Sequence, residues 1–215
     1  VGDWPMHCEI IAEIGVCHNS SLDIALAMVR VAAECGCDAV KFQKRTPELA
    51  VPADCWHTVR ATPWGEARTI DYRRRMELDA DAFAEIAVLC SSLGVEWFAS
   101  AWDYPSLLFL VERGCKRIKV PSARNRDLVL LRQVRDTGLP IIMSTGMATL
   151  AQIDEAVTVL GTERLTILHT VSGYPMDNDA ANLACMAMLR ARYAPCGVGY
   201  SGHETGLQIS VAAAA

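Results

Sequence analysis

The stretch EIIAEIGVCHNSSLDIALAMVRVAAECGCDAVKFQ, Glu9 to Gln43, contains one complete structural unit, and the rest of the chain repeats it. Glu9 to Gly15 is a short apolar run of strand length, closed by glycine. The polar loop His18-Asn19-Ser20-Ser21 follows. Leu22, Ala25, Leu26, Val29, Ala32 and Ala33 then recur at helical spacing on one face, Ser20 or Ser21 offers an N-cap hydroxyl, and Gly36 offers the stop. A second apolar run, Ala39 to Gln43, completes strand, helix and strand.

Outward from this unit the same grammar continues. Strand-like runs occupy Val95 to Ala99, Arg117 to Val120, Pro140 to Met143, Leu165 to Thr170 and Gly197 to Tyr200, which makes seven in all. Between them, Phe83, Ile86, Ala87, Cys90 and Leu93 precede Gly94; Leu128, Leu131 and Val134 precede Gly138; Ile153, Ala156, Val157 and Leu160 precede Gly161. Strict alternation, with strands apolar enough to be covered on both faces, means an α/β protein with a parallel sheet. No GxGxxG turn follows the first strand, and polar residues stand at the C-terminal end of nearly every strand, so a (β/α)8 TIM barrel is expected rather than a doubly wound sheet. Such a barrel takes about 250 residues. The seventh strand is followed only by Gly206 to Ala215, so residues 1–215 are expected to form a single barrel domain truncated after its seventh strand.

The 215 residues are 52% hydrophobic, with 25 acidic and 20 basic residues in no long run of either sign, which argues for a packed core and against a nucleic-acid surface. No uncharged apolar stretch approaches the roughly 18 residues of a membrane span, and Val1 to Met6 lacks the blocks of a signal peptide, so a cytoplasmic location is expected. The nine cysteines lack paired metal spacing and read as reduced thiols that pack in the core. Lys44 to Asp79 forms one long connection with three prolines and two tryptophans, either a lid over the catalytic face or padding at its rim.

The strand-end polar groups are Glu13, Lys41, Gln43, Ser100, Asp103, Lys119, Ser122, Ser144, Thr145, His169, Thr170, Ser172, Tyr174, Ser201, His203 and Glu204. On a barrel they meet at one mouth. Lys41 and Lys119 interrupt apolar strands. They read either as ion pairs, for instance with Glu13, or as anchors for a small anion, because an unpaired buried ammonium is costly. His18 either contacts a ligand or serves the cap region of the first helix. His203 offers an imidazole that suits a divalent metal, but needs further ligands. His7 and His57 carry no signal.

Several segments together resemble the N-acetylneuraminate (sialic acid) synthase family along nearly the whole chain: IAEIGVCHN (Ile11 to Asn19), DAVKFQK (Asp38 to Lys44), WGEARTIDYRRRMEL (Trp64 to Leu78), FASAWD (Phe98 to Asp103), IKVPS (Ile118 to Ser122), STGM (Ser144 to Met147), TVSGYP (Thr170 to Pro175) and GYSGHETG (Gly199 to Gly206). The resemblance implies a (β/α) barrel followed by a small antifreeze-like domain, and a homodimer in the full-length form. It implies condensation of phosphoenolpyruvate with N-acetylmannosamine, its 6-phosphate or a related N-acyl hexosamine, with Mn2+ or Mg2+. Carried across, Lys41, Ser100, Lys119, Ser122, Ser144, Tyr174 and Ser201 match positions that hold phosphoenolpyruvate, and Gln43 and Tyr174 match positions near the sugar. His203 matches one metal-binding histidine, and Glu13 matches the acidic residue near the reacting carbons. Glu13, Lys41, Lys119 and Tyr174 are the expected catalytic set, with Ser172 among the substrate contacts. On that reading the metal polarises the sugar aldehyde, Glu13 relays a proton or steadies charge at C2, and the lysines hold phosphate. A noncatalytic ligand-binding remnant and a related 3-deoxy-ulosonate synthase are the alternatives.

Three departures from the family pattern stand out. Arg124 occupies a position where many members place an acidic sugar-binding residue, so either the sugar differs or its contact moves to Asn125 or Asp127. Ser172 stands where some members carry Asn. A second metal histidine, expected on strand eight, and the antifreeze-like domain are not found in the chain.

Overall fold

A computed structural model describes residues 8–215 of the protein. The readings of Val1 to Met6 and of His7 lie outside the described residues. The chain divides into two compact units, one running to Lys116 and the other from Arg117 to Ala215.

In the first unit the elements are β1 (Ile11–Gly15), α1 (Leu22–Glu34), β2 (Ala39–Lys44), α2 (Pro47–Ala50), β3 (Val59–Thr62), β4 (Gly65–Arg68), α3 (Thr69–Arg75), α4 (Ala80–Leu93), β5 (Glu96–Ala101) and α5 (Tyr104–Glu112). β2 pairs in parallel with β1, Glu13 facing Lys41, and with β5, Gln43 facing Ser100. Val40 and Phe42 are fully buried, and Phe42 meets Phe83 of α4 at 6.0 Å between ring centroids. Side chains alternate along a strand, so Lys41 and Gln43 occupy the opposite face of β2. Phe83 also contacts Trp97 and Phe109, which fastens α4 and α5 to β5 through one aromatic cluster. The helix ends follow the cap chemistry. Ser21 accepts from the Ile24 N–H, Asp79 accepts from the Ala82 N–H, and α4 stops at Gly94 with a left-handed φ of 71°.

The second unit contains β6 (Ile118–Val120), α6 (Leu128–Asp136), β7 (Ile141–Ser144), α7 (Leu150–Leu160), β8 (Leu165–His169), α8 (Ala184–Arg192), β9 (Gly197–Tyr200) and α9 (Gln208–Ala214). β6 pairs in parallel with β7, β7 with β8 and β8 with β9. Asp127 caps α6, and Thr149 with Gln152 forms a reciprocal capping box on α7. Ile118, Val120, Leu131, Val134, Met143, Ala156 and Ile167 are buried at or near 0% exposure, so the apolar stripes read from the sequence do form the core.

All seven parallel strands therefore stand where the sequence places them, each within two residues, in the α/β class expected. The Lys44 to Asp79 connection departs from a plain loop. It folds into α2, an antiparallel β3–β4 hairpin and α3. The hairpin is held by side-chain stacking: Arg75 lies 3.7 Å above the Trp64 ring and Arg60 4.7 Å above that of Tyr72. The cysteines are also only partly as expected. No disulfide joins them, but only Cys90, Cys115 and Cys196 are buried, whereas Cys8, Cys17, Cys35 and Cys55 are exposed. Burial pushes the Cys90 thiol up to about 11, so that residue behaves as the small hydrophobe anticipated for all nine. No helix among the described residues is long and apolar enough to cross a membrane.

Candidate functional site

In the first unit the strand-end residues form a connected polar chain. Lys41 pairs with the Glu13 carboxylate and donates to Ser100 Oγ at 3.1 Å, while Gln43 Nε2 approaches Glu13 Oε1 at 3.4 Å. The ion-pair reading of Lys41 is thus correct in part, because the same ammonium also reaches a hydroxyl on β5. Glu13 can bend toward the turn because the next turn residue is glycine: Gly15 has φ +54°, and a Cβ there would lie 2.7 Å from Glu13 Oε1.

Beyond Gln43 the chain of contacts continues into residues that sequence reasoning missed. Arg45 donates to Gln43 Oε1 and pairs with Glu77 through Nε at 3.0 Å, and its backbone N–H donates to Glu77 Oε2 at 3.1 Å. Lys44 reaches the same carboxylate at 3.4 Å and donates to the Leu78 carbonyl at 2.8 Å. Arg45 is only 5% exposed, and its guanidinium lies 4.9 Å above the Trp102 ring. Burial raises the Glu77 carboxyl pKa, against the pull of Lys44, and burial lowers the Arg45 guanidinium, against the pull of Glu77. The one available signal was Glu77 at the end of the charged segment Asp71 to Glu77.

A cavity of about 360 Å³ opens beside Lys44, Arg45, Arg74, Glu77 and Phe109. Its cations are already matched, Lys44 and Arg45 by Glu77 and Arg74 by Glu48 at 2.6 Å. It is space at the root of the hairpin segment rather than an anion cradle. His18 belongs to the turn before α1, where its Nδ1 accepts from the Ser20 N–H at 3.1 Å. It is 2% exposed, and burial, with Arg45 nearby, holds its imidazole pKa below the usual value against a backbone hydrogen bond at Gly15.

In the second unit Lys119 is 5% exposed and donates to Ser144 Oγ. Ser122 Oγ accepts from the Gly146 N–H at 3.1 Å, and a Cβ on Gly146 would meet the hydroxyls of both Ser122 and Ser172. Ser122, Ser144 and Ser172 therefore gather around one glycine turn that a larger residue would block. Asn125 locks that turn from beneath: it is 2% exposed and its Nδ2 donates to the carbonyls of Ser144 and Gly146 at 3.1 and 3.0 Å. With Asp127 capping α6, both residues considered as replacements for the acidic sugar contact are engaged in structure. Arg124 lies 3.8 Å from Asp127.

The loops after β8 and β9 are joined to each other. The Met176 N–H donates to the His203 carbonyl at 2.9 Å, the Tyr174 and His203 rings are 4.7 Å apart, and Tyr174 is 87% exposed. His203 Nδ1 donates to the Val171 carbonyl at 2.8 Å, so its Nε2 carries the ring's remaining lone pair. Tyr200 and Ser210 donate to the Glu204 carboxylate at 2.9 and 2.6 Å and hold the segment on which His203 rides. The Ser201 N–H donates to the carbonyl of His169, whose own Nε2 donates to Ala181 O, so His169 is an anchor rather than a ligand contact. Among the described residues no group of three His, Cys, Asp or Glu side chains stands together to hold a metal ion. These residues supply one oriented imidazole and not a complete metal centre.

The sequence pattern of the NeuB family matches residues 28–215. The chain belongs to the NeuB family. It is 33% identical over 213 residues to N-acetylneuraminate-9-phosphate synthase of Drosophila melanogaster, a match covering 95% of this chain and 56% of that protein. It is likewise 33% identical over 214 residues to N,N'-diacetyllegionaminic acid synthase of Campylobacter jejuni, covering 96% of this chain and 64% of the other. Among solved structures it superposes on the N-acetylneuraminic acid synthetase of Leptospira borgpetersenii with a TM-score of 0.86 at 29% identity, covering 95% of this chain and 68% of that one. This NeuB-family chain thus spans little more than half to two thirds of the relatives it matches.

Proposed function

We propose that the chain carries the phosphoenolpyruvate-handling machinery of a NeuB-family synthase, which condenses phosphoenolpyruvate with an N-acyl hexosamine and releases phosphate and a nonulosonic acid. N-acetylmannosamine and its 6-phosphate are the first acceptors to consider. The observation that carries this reading is the pairing of a strand-borne lysine with a serine hydroxyl in each unit, Lys41 with Ser100 and Lys119 with Ser144. A phosphate-carboxylate ligand must exchange its hydration shell for fixed donors of this kind.

In the proposed reaction C3 of phosphoenolpyruvate attacks the aldehyde carbon of the open-chain sugar, a C–C bond forms, and positive charge develops at C2. Water adds at C2, and the proton it loses is passed on to the alkoxide left by the former aldehyde, which becomes a hydroxyl. The C2–O bond to phosphate then breaks as the C2 hydroxyl gives its proton to the departing phosphate, leaving a 2-keto acid and inorganic phosphate. Glu13, paired with Lys41, is the carboxylate assigned to steady C2 and receive the proton of the water. Lys41 and Lys119, with Ser100, Ser122, Ser144 and Ser201, hold the phosphate and carboxylate and stabilise the departing group. Gln43, Ser172 and Tyr174 are assigned to ligand contacts on the sugar side, and His203 is proposed as one ligand of Mn2+ or Mg2+.

The test is phosphate release and formation of a nonulosonic acid from phosphoenolpyruvate and a panel of N-acyl hexosamines and their 6-phosphates, with phosphoenolpyruvate affinity measured alongside. Lys119→Met is expected to weaken that affinity by about 10- to 100-fold, the loss of one or two charge-assisted hydrogen bonds. Binding without turnover would favour a noncatalytic ligand-binding chain. Unchanged affinity in Lys41→Met and Lys119→Met would refute the assignment.

A further inference from the structure

We propose that Arg45 is a positioning residue: by donating to Gln43 Oε1 it fixes the amide with its NH2 group toward Glu13, which makes Gln43 a hydrogen-bond donor to the acceptor sugar. Free glutamine is ambiguous, because its amide can turn over and exchange donor for acceptor. Here both neighbours remove the ambiguity. Arginine has donors and no acceptor, so only Oε1 can face Arg45; the Glu13 carboxylate, ion-paired with Lys41, offers acceptors, so only Nε2 can face it. A reversed amide would set oxygen against carboxylate and NH2 against guanidinium.

Arg45 is itself held from three sides. The Glu77 carboxylate forms an ion pair with its guanidinium, 3.0 Å from Nε, and accepts from its backbone N–H at 3.1 Å, and Trp102 lies under the guanidinium. Lysine would keep the charge but not the planar fork that serves Glu77 and Gln43 together. One amide hydrogen of Gln43 is directed to Glu13 and the second is left for a ligand oxygen. A donor on Gln43 beside an acceptor on Glu13 suits a hydroxyl group, which can accept from the first and donate to the second. Glu77 ends the hairpin-bearing segment, so the seating of that segment and the polarity of Gln43 are linked through Arg45. The sugar-binding part of this inference rests on the function proposed above; the orientation of Gln43 does not.

The experiment follows the side-chain amide of Gln43 in the 15N-labelled 215-residue protein, assigned by its loss in Gln43→Leu. In Arg45→Met, rotation and hydrogen exchange of this amide are expected to accelerate by about fivefold or more, with Arg45→Lys intermediate, as for a side chain released from one of its two fixed partners. Arg45→Lys also serves if Arg45→Met does not fold. Calorimetry on the same proteins is expected to show N-acetylmannosamine affinity reduced by about tenfold and phosphoenolpyruvate affinity held within about twofold. Amide dynamics unchanged in both variants would overturn the proposal, as would equal losses of affinity for both ligands, which would signal a general structural role. If the unmodified protein binds no N-acyl hexosamine, the functional reading fails and the amide measurement still decides the role of Arg45.

Discussion

Replacing Asn125 by alanine and by aspartate separates two explanations of the turn that carries Ser144 and Gly146. Asn125 is 2% exposed, and its Nδ2 donates to two main-chain carbonyls, at 3.1 and 3.0 Å, while Oδ1 is buried without a partner. Asn125→Ala removes both donors and leaves two buried carbonyls unsatisfied, at a net cost of about 2–4 kcal/mol. The loss of the unpartnered Oδ1 offsets part of this, so the lower half of that range is expected. Asn125→Asp has nearly the same shape but turns carboxylate oxygen toward the carbonyls, and should cost at least about 2 kcal/mol more at neutral pH. The introduced carboxyl then has a folded-state pKa above its unfolded value of about 3.9. Its stabilising contribution is present below that pH and lost as pH rises, so Asn125→Asp should recover toward Asn125→Ala on acidification. Urea denaturation at pH 7 and pH 4.5, referenced to the unmodified protein, measures both differences. Equal stability of the two variants at pH 7, or a change below about 0.5 kcal/mol in either, would refute the view that donors rather than packing hold this turn.

Two further outcomes follow from the same geometry. His18 has a depressed folded-state pKa caused first by burial and then by Arg45, so its contribution to stability is present above the unfolded value of about 6.5 and lost as pH falls through the lower folded value. His18→Asn should flatten the decline in the urea midpoint between pH 7 and pH 5, and an identical slope in both proteins would exclude His18 as its source. For His203, whose Nδ1 is committed to Val171, His203→Ala should weaken Mn2+ binding, read by electron paramagnetic resonance, by at least about tenfold, and unaltered binding would remove it as a ligand.

The parallel strands were legible because each is a short apolar run bounded by polar or glycine punctuation, and the helices because caps such as Ser21, Asp79 and Thr149 agree with the apolar period. The β3–β4 hairpin was not. Val59, Arg60 and Ala61 are all exposed, so β3 lacks the alternation of buried and exposed side chains that reveals a half-buried strand. What holds the hairpin is Arg75 of the following helix stacked on Trp64 of the turn, and Arg60 of β3 stacked on that helix's Tyr72, a pattern with no periodic trace in sequence. The cysteines were misread for a related reason: composition suggests burial for the residue type, but Cys17, Cys35 and Cys55 lie in loops and helix ends that face solvent.

The candidate site was legible only where chemistry conflicts with its surroundings. A lysine inside an apolar strand demands a partner, and that conflict singled out Lys41 and Lys119, which Glu13, Ser100 and Ser144 answer. Arg45 and Asn125 create no such conflict in one dimension. Each follows the end of a strand, where polar residues are ordinary, and each acts on a group far along the chain, Arg45 on Glu77 32 residues away and Asn125 on Gly146 21 residues away. The residues proposed to face a ligand are constrained by their own chemistry and can be read locally. Those that orient them are constrained by who their neighbours are: the donor-only fork of Arg45 gives Gln43 its polarity, and that relation exists only once β2 and the end of the hairpin-bearing segment are brought together.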